Sequence, residues 1–185
     1  MEWTPDTLRA AIVKHIEEVA GYYKGKCYAW DVVNEALEED GTYRKSLFYN
    51  ILGEEYIKLA FKTASRVDPS AKLYYNDYNI EWPGRKTDAA GRIVKMLRDE
   101  GIKIDGIGLQ GHLTAEGNLT LGQHIDSIKS FTALNVEVAV TELDVRLREP
   151  ATPANLALQK EKYKNVRLPL PSKLTPLPQK KYAES

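Results

Sequence analysis

Short apolar runs alternate with helical patterns along most of this chain, and that alternation limits the folds open to it. The runs Tyr28 to Val33, Lys72 to Tyr75, Ile104 to Leu109 and Glu137 to Leu143 are short and β-rich, and read as buried strands. Helical patterns fill the intervals. Thr4-Pro5 is an N-cap followed by proline at the first helical position, and Leu8, Ile12, Ile16, Val19 and Tyr23 follow at helical spacing. Further helices are predicted over 44–66, 86–100 and 121–134, and from Thr152-Pro153 towards Tyr163. Strand starts about 30 to 45 residues apart suit successive βα units, hence parallel strands joined by right-handed crossovers. Four such units fit a doubly wound sheet or part of a (β/α)8 barrel, and periodicity alone does not separate the two.

The pattern stops near Arg167. Pro169, Pro171, Pro176 and Pro178 exclude a helix or a central strand beyond it. The expected organisation is therefore a folded domain over 1–166 and an extended, disordered Pro-rich tail over 167–185.

Charge and cysteine content remove several functions. Lys+Arg and Asp+Glu both number 26, and this balance argues against nucleic acid or an anionic membrane as the main partner. Cys27 is the only cysteine, so neither an internal disulfide nor a multi-cysteine metal site is possible. The histidines His15, His112 and His124 show no ligand spacing, so no metal is expected. No apolar run approaches a membrane span, and the N-terminus has no basic region followed by an apolar segment, so no signal peptide is read. Asn118-Leu119-Thr120 is a glycosylation sequon, relevant only in the secretory pathway. No phosphate-binding glycine loop or G-x-S-x-G elbow occurs; Gly106-Ile107-Gly108 lies inside a strand, where a tightly packed wall explains it.

Polar residues gather where each strand ends: Asn34-Glu35, Asn76-Asp77-Tyr78-Asn79, Gln110-Gly111-His112 and Thr141-Glu142-Leu143-Asp144. In parallel βα folds the site lies at the carboxyl ends of the strands. Helix capping would explain Asn or Asp there, but glutamate is a poor N-cap. Glu35 and Glu142 each follow an apolar strand, where a partly desolvated carboxylate needs a partner or a function. Two such carboxylates facing each other across a sugar have the logic of retaining glycoside hydrolysis, with the groups about 5–5.5 Å apart. The acid of such a pair is expected to have a raised pKa. His112 reads either as a structural histidine or as a donor that orients Glu142, with Asp144 behind it.

Trp30-Asp31-Val32-Val33-Asn34-Glu35 resembles the fourth-strand motif of glycoside hydrolase family 10, the endo-1,4-β-xylanases. Leu73 to Asn79, Asp105 to Leu113 and Val138 to Asp144 resemble its fifth, sixth and seventh strands, in the same order and at matching spacing. The likeness runs from about Trp3 to Tyr163 and looks most like the fungal, secreted members. It implies an α/β fold, a partial (β/α)8 TIM barrel of about four βα units. It also implies retaining hydrolysis of xylan or another plant cell-wall β-1,4-linked polysaccharide, without a cofactor and outside the cell. Glu35 would be the acid/base and Glu142 the nucleophile. Asn34 would bond the sugar 2-hydroxyl, His112 would bond the nucleophile, and Asp144 would hold His112. Gln110 and Tyr78 would line sugar subsites. Nothing matches the family's first three strands or its Trp-bearing eighth. The expectation is exposed sheet edges, poor solubility and little or no activity for this chain alone.

Overall fold

The computed structural model describes residues 3–167. Its centre is a four-stranded parallel sheet of β1 (Ala29–Asn34), β2 (Lys72–Asp77), β3 (Gly106–Leu109) and β5 (Glu137–Val140), in the spatial order β1-β2-β3-β5. The helices α1 (Pro5–Tyr22), α2 (Leu47–Leu52), α3 (Glu55–Val67), α4 (Arg85–Asp99), α5 (Leu121–Thr132) and α6 (Pro153–Arg167) alternate with the strands. This is the expected run of βα units. The expected tail lies outside the described residues, apart from Arg167 at the end of α6.

Local chemistry fixes the element boundaries. Thr4 caps α1 in a reciprocal capping box with Thr7, and Pro5 takes the first helical position. Thr120 and Gln123 form a second such box on α5. The single helix expected over 44–66 is two helices. Gly53 ends α2 with φ at 57°, a conformation that breaks the helical path and that glycine adopts at little cost.

The core lies between the sheet and the helices. Ile57, Phe61, Leu73, Tyr75, Ile93, Leu97, Ile107, Leu109 and Phe131 are fully buried there. β3 is narrow for a steric reason. A Cβ at Gly106 would collide with the Tyr74 ring, and one at Gly108 with the Asn76 side chain. The two glycines therefore make the tight wall that lets Asn76 lie across β3.

A second sheet was not expected. β4 (His112–Thr114) and β6 (Asp144–Arg146) pair in parallel just beyond β3 and β5. Their register sets His112 opposite Asp144. Both outer edges of the main sheet, on β1 and β5, have no strand partner among the described residues. An apolar groove of about 580 Å³ runs beside β1, lined by Trp3, Ile12, Leu47 and Phe48, and ends at Asn34 and Glu35.

Candidate active site

All seven residues singled out from the sequence lie at the carboxyl end of the sheet. Ladder hydrogen bonds continue past the strand ends and fix where they sit: Glu35 N donates to Asn76 O at 2.9 Å, Gln110 N to Asp77 O at 3.0 Å and Glu142 N to Gln110 O at 3.0 Å. Glu35 takes a positive φ of 56°, a conformation costing a non-glycine residue roughly 1–3 kcal/mol and tolerated where the surroundings impose it.

Side-chain amides join the two glutamates. Gln110 Nε2 donates to Glu35 Oε1 at 3.0 Å and lies 3.1 Å from Asn34 Oδ1. Asn76 Nδ2 donates to Glu142 Oε1 at 2.7 Å and to Asn34 Oδ1 at 3.0 Å, and its own Oδ1 accepts from Thr141 Oγ1 at 2.7 Å. A continuous chain of hydrogen bonds thus runs from one carboxylate to the other. On the far side of Glu142, His112 Nε2 stands 3.3 Å from Oε2, and His112 Nδ1 is 2.9 Å from Asp144 Oδ2. The hydrogen bond to Asp144 leads the effects that raise the His112 pKa above its ordinary value, outweighing the opposing effect of burial.

Sequence reasoning missed Arg44 and Lys86 and gave Asn76 and Asp77 no role of their own. Arg44 Nη1 donates to Glu35 Oε2 at 3.0 Å, and Arg44 Nη2 to the Tyr78 hydroxyl at 2.9 Å. Lys86 is buried, with Nζ 3.0 Å from Asp77 Oδ1, 3.0 Å from Glu39 Oε1 and 3.4 Å from the centre of the Tyr78 ring. Asp77 also accepts from the Tyr75 hydroxyl. Asn76, noted only as part of a polar strand end, is the main link between the glutamates. Arg44 and Lys86 gave no signal, because each belongs to a different element and joins the site only through tertiary contact.

The Glu35 environment departs from expectation. The Gln110 hydrogen bond, followed by Arg44, outweighs burial and holds the Glu35 carboxyl below the ordinary carboxylate range. The sequence predicts a partly desolvated acid with a raised pKa; two donors facing the carboxylate reverse the sign. A depressed folded-state pKa stabilises the fold above the unfolded carboxylate value, and that contribution is lost as pH falls through the folded value. Arg44→Leu should therefore raise the Glu35 pKa. A carboxyl carbon-13 NMR titration showing no upward movement would refute this account.

Among the described residues no group of three or more His, Cys, Asp or Glu side chains is arranged to hold a metal.

Residues 1–170 match the profile of Glycosyl hydrolase family 10. The chain is 68% identical over 165 residues to endo-1,4-beta-xylanase A of Humicola insolens, covering 89% of this chain and 44% of that protein. It is 52% identical to endo-1,4-beta-xylanase D of Talaromyces funiculosus, covering 87% of this chain and 40% of the relative. The crystal structure of a GH10 xylanase from Bispora sp. MEY-1 with xylobiose superimposes with a TM-score of 0.87 at 40% identity. That match covers 90% of this chain and 52% of the other. Xylanase 10B of Thermotoga petrophila RKU-1, also in complex with xylobiose, gives a TM-score of 0.85 at 36% identity over 90% of this chain and 52% of that one. The chain spans about half the length of the relatives it matches. It belongs to glycosyl hydrolase family 10.

Proposed function

We propose that this chain carries the catalytic half of an extracellular endo-1,4-β-xylanase that cleaves internal β-1,4-xylosidic bonds with retention. Glu142 attacks the anomeric carbon while Glu35 protonates the leaving oxygen. Water, deprotonated by Glu35, then releases the sugar from Glu142. Protons and bonds balance with two carboxylates and water, so the reaction calls for no cofactor. Asn34 bonds the 2-hydroxyl of the attacked sugar. His112, held by Asp144, keeps Glu142 aimed at the anomeric carbon. Gln110 and Tyr78 face the adjoining sugars.

The observation that carries this reading is the hydrogen-bond chain through Gln110, Asn34 and Asn76 that ties Glu35 to Glu142. Xylobiose bound to two structural relatives supports the substrate class. Family membership with fungal xylanases supports action outside the cell.

The open edges of β1 and β5 and the apolar groove beside β1 bear on the isolated chain. A sugar held at Glu142 would face solvent on one side, so binding energy for distortion is lost. Turnover on xylan by the chain alone should fall at least about a thousandfold below the 1–1,000 per second common for enzymes. A chimera carrying residues 3–166 in place of the matching segment of the Humicola insolens xylanase should return to that range. An inactive but folded chimera would sink the proposal.

A further inference from the structure

We propose that Glu81 is a positioning residue: its carboxylate holds the Gly111 amide and so sets Gln110 and His112 together, one against each catalytic glutamate. This deepens the xylanase reading and rests on it. Glu81 lies between β2 and α4 and is only 2% exposed. Its Oε1 accepts from Gly111 N at 2.7 Å. Among the described residues it has no Lys or Arg partner, so a carboxylate is buried without a cation to pair it. Burial pushes its pKa up, and the Gly111 hydrogen bond acts against that rise. A neutral acceptor could satisfy one amide at a smaller desolvation cost, so a glutamate here calls for a reason.

The reason lies in what Gly111 joins. Gln110, before it, donates to Glu35, and His112, after it, stands against Glu142. β3 ends at Leu109 and β4 begins at His112, so Gly111 lies in the break between the two sheets. Its amide bonds Glu81 instead of a ladder carbonyl. The turn is tight. Gly111 has a φ of 78°, and a Cβ there would meet Val140 at 3.0 Å and Leu143 at 3.2 Å. The Gly111 carbonyl accepts from Asp144 N at 3.3 Å, and Asp144 in turn holds His112. One backbone turn thus governs the neighbours of both glutamates, and the Glu81 carboxylate is its anchor on the amide side.

Glu81 is itself fixed from outside the site. Ser127 Oγ donates to Ile80 O at 2.6 Å, and His124 Nδ1 lies 3.2 Å from Glu81 O. A carbonyl only accepts, so this contact puts the imidazole proton on Nδ1. Burial holds the His124 pKa below its ordinary value, in keeping with a neutral ring. Ser127 and His124 are both buried on α5. The helix therefore grips two successive carbonyls, and the side chain of the gripped residue grips Gly111. Misplacement of catalytic groups by about 1 Å can cost on the order of a hundredfold in rate, which is the scale of effect this anchor controls.

The test compares Glu81→Ala with Glu81→Gln, which keeps an oxygen to accept from Gly111. In the full chain, followed by NMR, the Gly111 amide should be protected from hydrogen exchange. It should exchange about tenfold faster or more in Glu81→Ala. The His112 pKa, held up chiefly by Asp144, should fall towards its ordinary value in Glu81→Ala and by less in Glu81→Gln. In the chimera, Glu81→Ala should lower kcat on xylan by roughly ten- to a hundredfold with little change in KM, and Glu81→Gln should recover most of that loss. A Gly111 amide that exchanges freely in the unsubstituted chain would overturn the proposal, whatever the variants do. So would an unchanged His112 pKa in Glu81→Ala, equal shifts in the two variants, or a rise in KM alone. Failure of the underlying xylanase reading would show separately, as an inactive chimera before any substitution, and leaves the NMR outcomes readable.

Discussion

Glu142→Gln in the chimera is expected to cut turnover on xylan by roughly ten-thousand-fold or more, with substrate binding retained. The amide matches the carboxylate in shape and still reaches Asn76 and His112, so the site keeps its form. It cannot form the glycosyl ester, and the double displacement has no first step without it. Glu35→Gln separates the two roles. A general acid contributes roughly a hundred- to ten-thousand-fold, but only where the leaving group needs a proton. An aryl xyloside whose phenol leaves as the anion should therefore lose little of its first step in Glu35→Gln and nearly all of it in Glu142→Gln. Equal loss of that step in both variants would refute the assignment, as would substantial xylan turnover in Glu142→Gln.

The second large effect is on stability. Lys86 and Asp77 are both buried, 3% and 0% exposed by side chain, with 3.0 Å between the ammonium and Asp77 Oδ1. Burial lowers the Lys86 pKa, but Asp77 and Glu39 outweigh it and hold the ammonium above its ordinary value. Lys86→Met removes the cation and leaves the Asp77 carboxylate in the interior. Breaking one side of a buried pair costs about 3–5 kcal/mol. In a chain of this size the melting temperature should fall by on the order of 10 °C. Lys86→Met with Asp77→Asn should recover much of that loss, because no buried charge remains. A fall below about 1 kcal/mol in the single variant, read by denaturant unfolding, would show that the pair is not the anchor the geometry indicates. The same variant removes the cation beneath the Tyr78 ring, so Tyr78 should lose order with it.

Much of this architecture was legible before any coordinates. The strand runs were placed to within a few residues, because buried parallel strands read as short apolar stretches between helical repeats. Helix starts followed from Thr4-Pro5 and Thr152-Pro153. The helix expected over 44–66 was not broken in the reading, since Gly53 sits inside an otherwise continuous apolar pattern. The paired strands β4 and β6 also went unread. Each has three residues, too few to show a period, and they exist because β3 and β5 run side by side.

The site divides in the same way. The sequence by itself determined which side chains stand at the strand ends, because strand direction in βα units puts Asn34, Glu35, Tyr78, Gln110, His112, Glu142 and Asp144 at one end of the sheet. Only the tertiary structure decided what each of them touches. Gln110 reaches Glu35 across β2, and Arg44 arrives from the loop before α2 to depress the same carboxyl. Lys86 comes up beneath Tyr78 from α4, and Glu81 reaches the Gly111 amide from the loop before that helix. A periodicity records which face of an element is buried. The sign of a pKa shift, or the partner of a buried carboxylate, depends on which elements pack together, and local sequence carries no record of that.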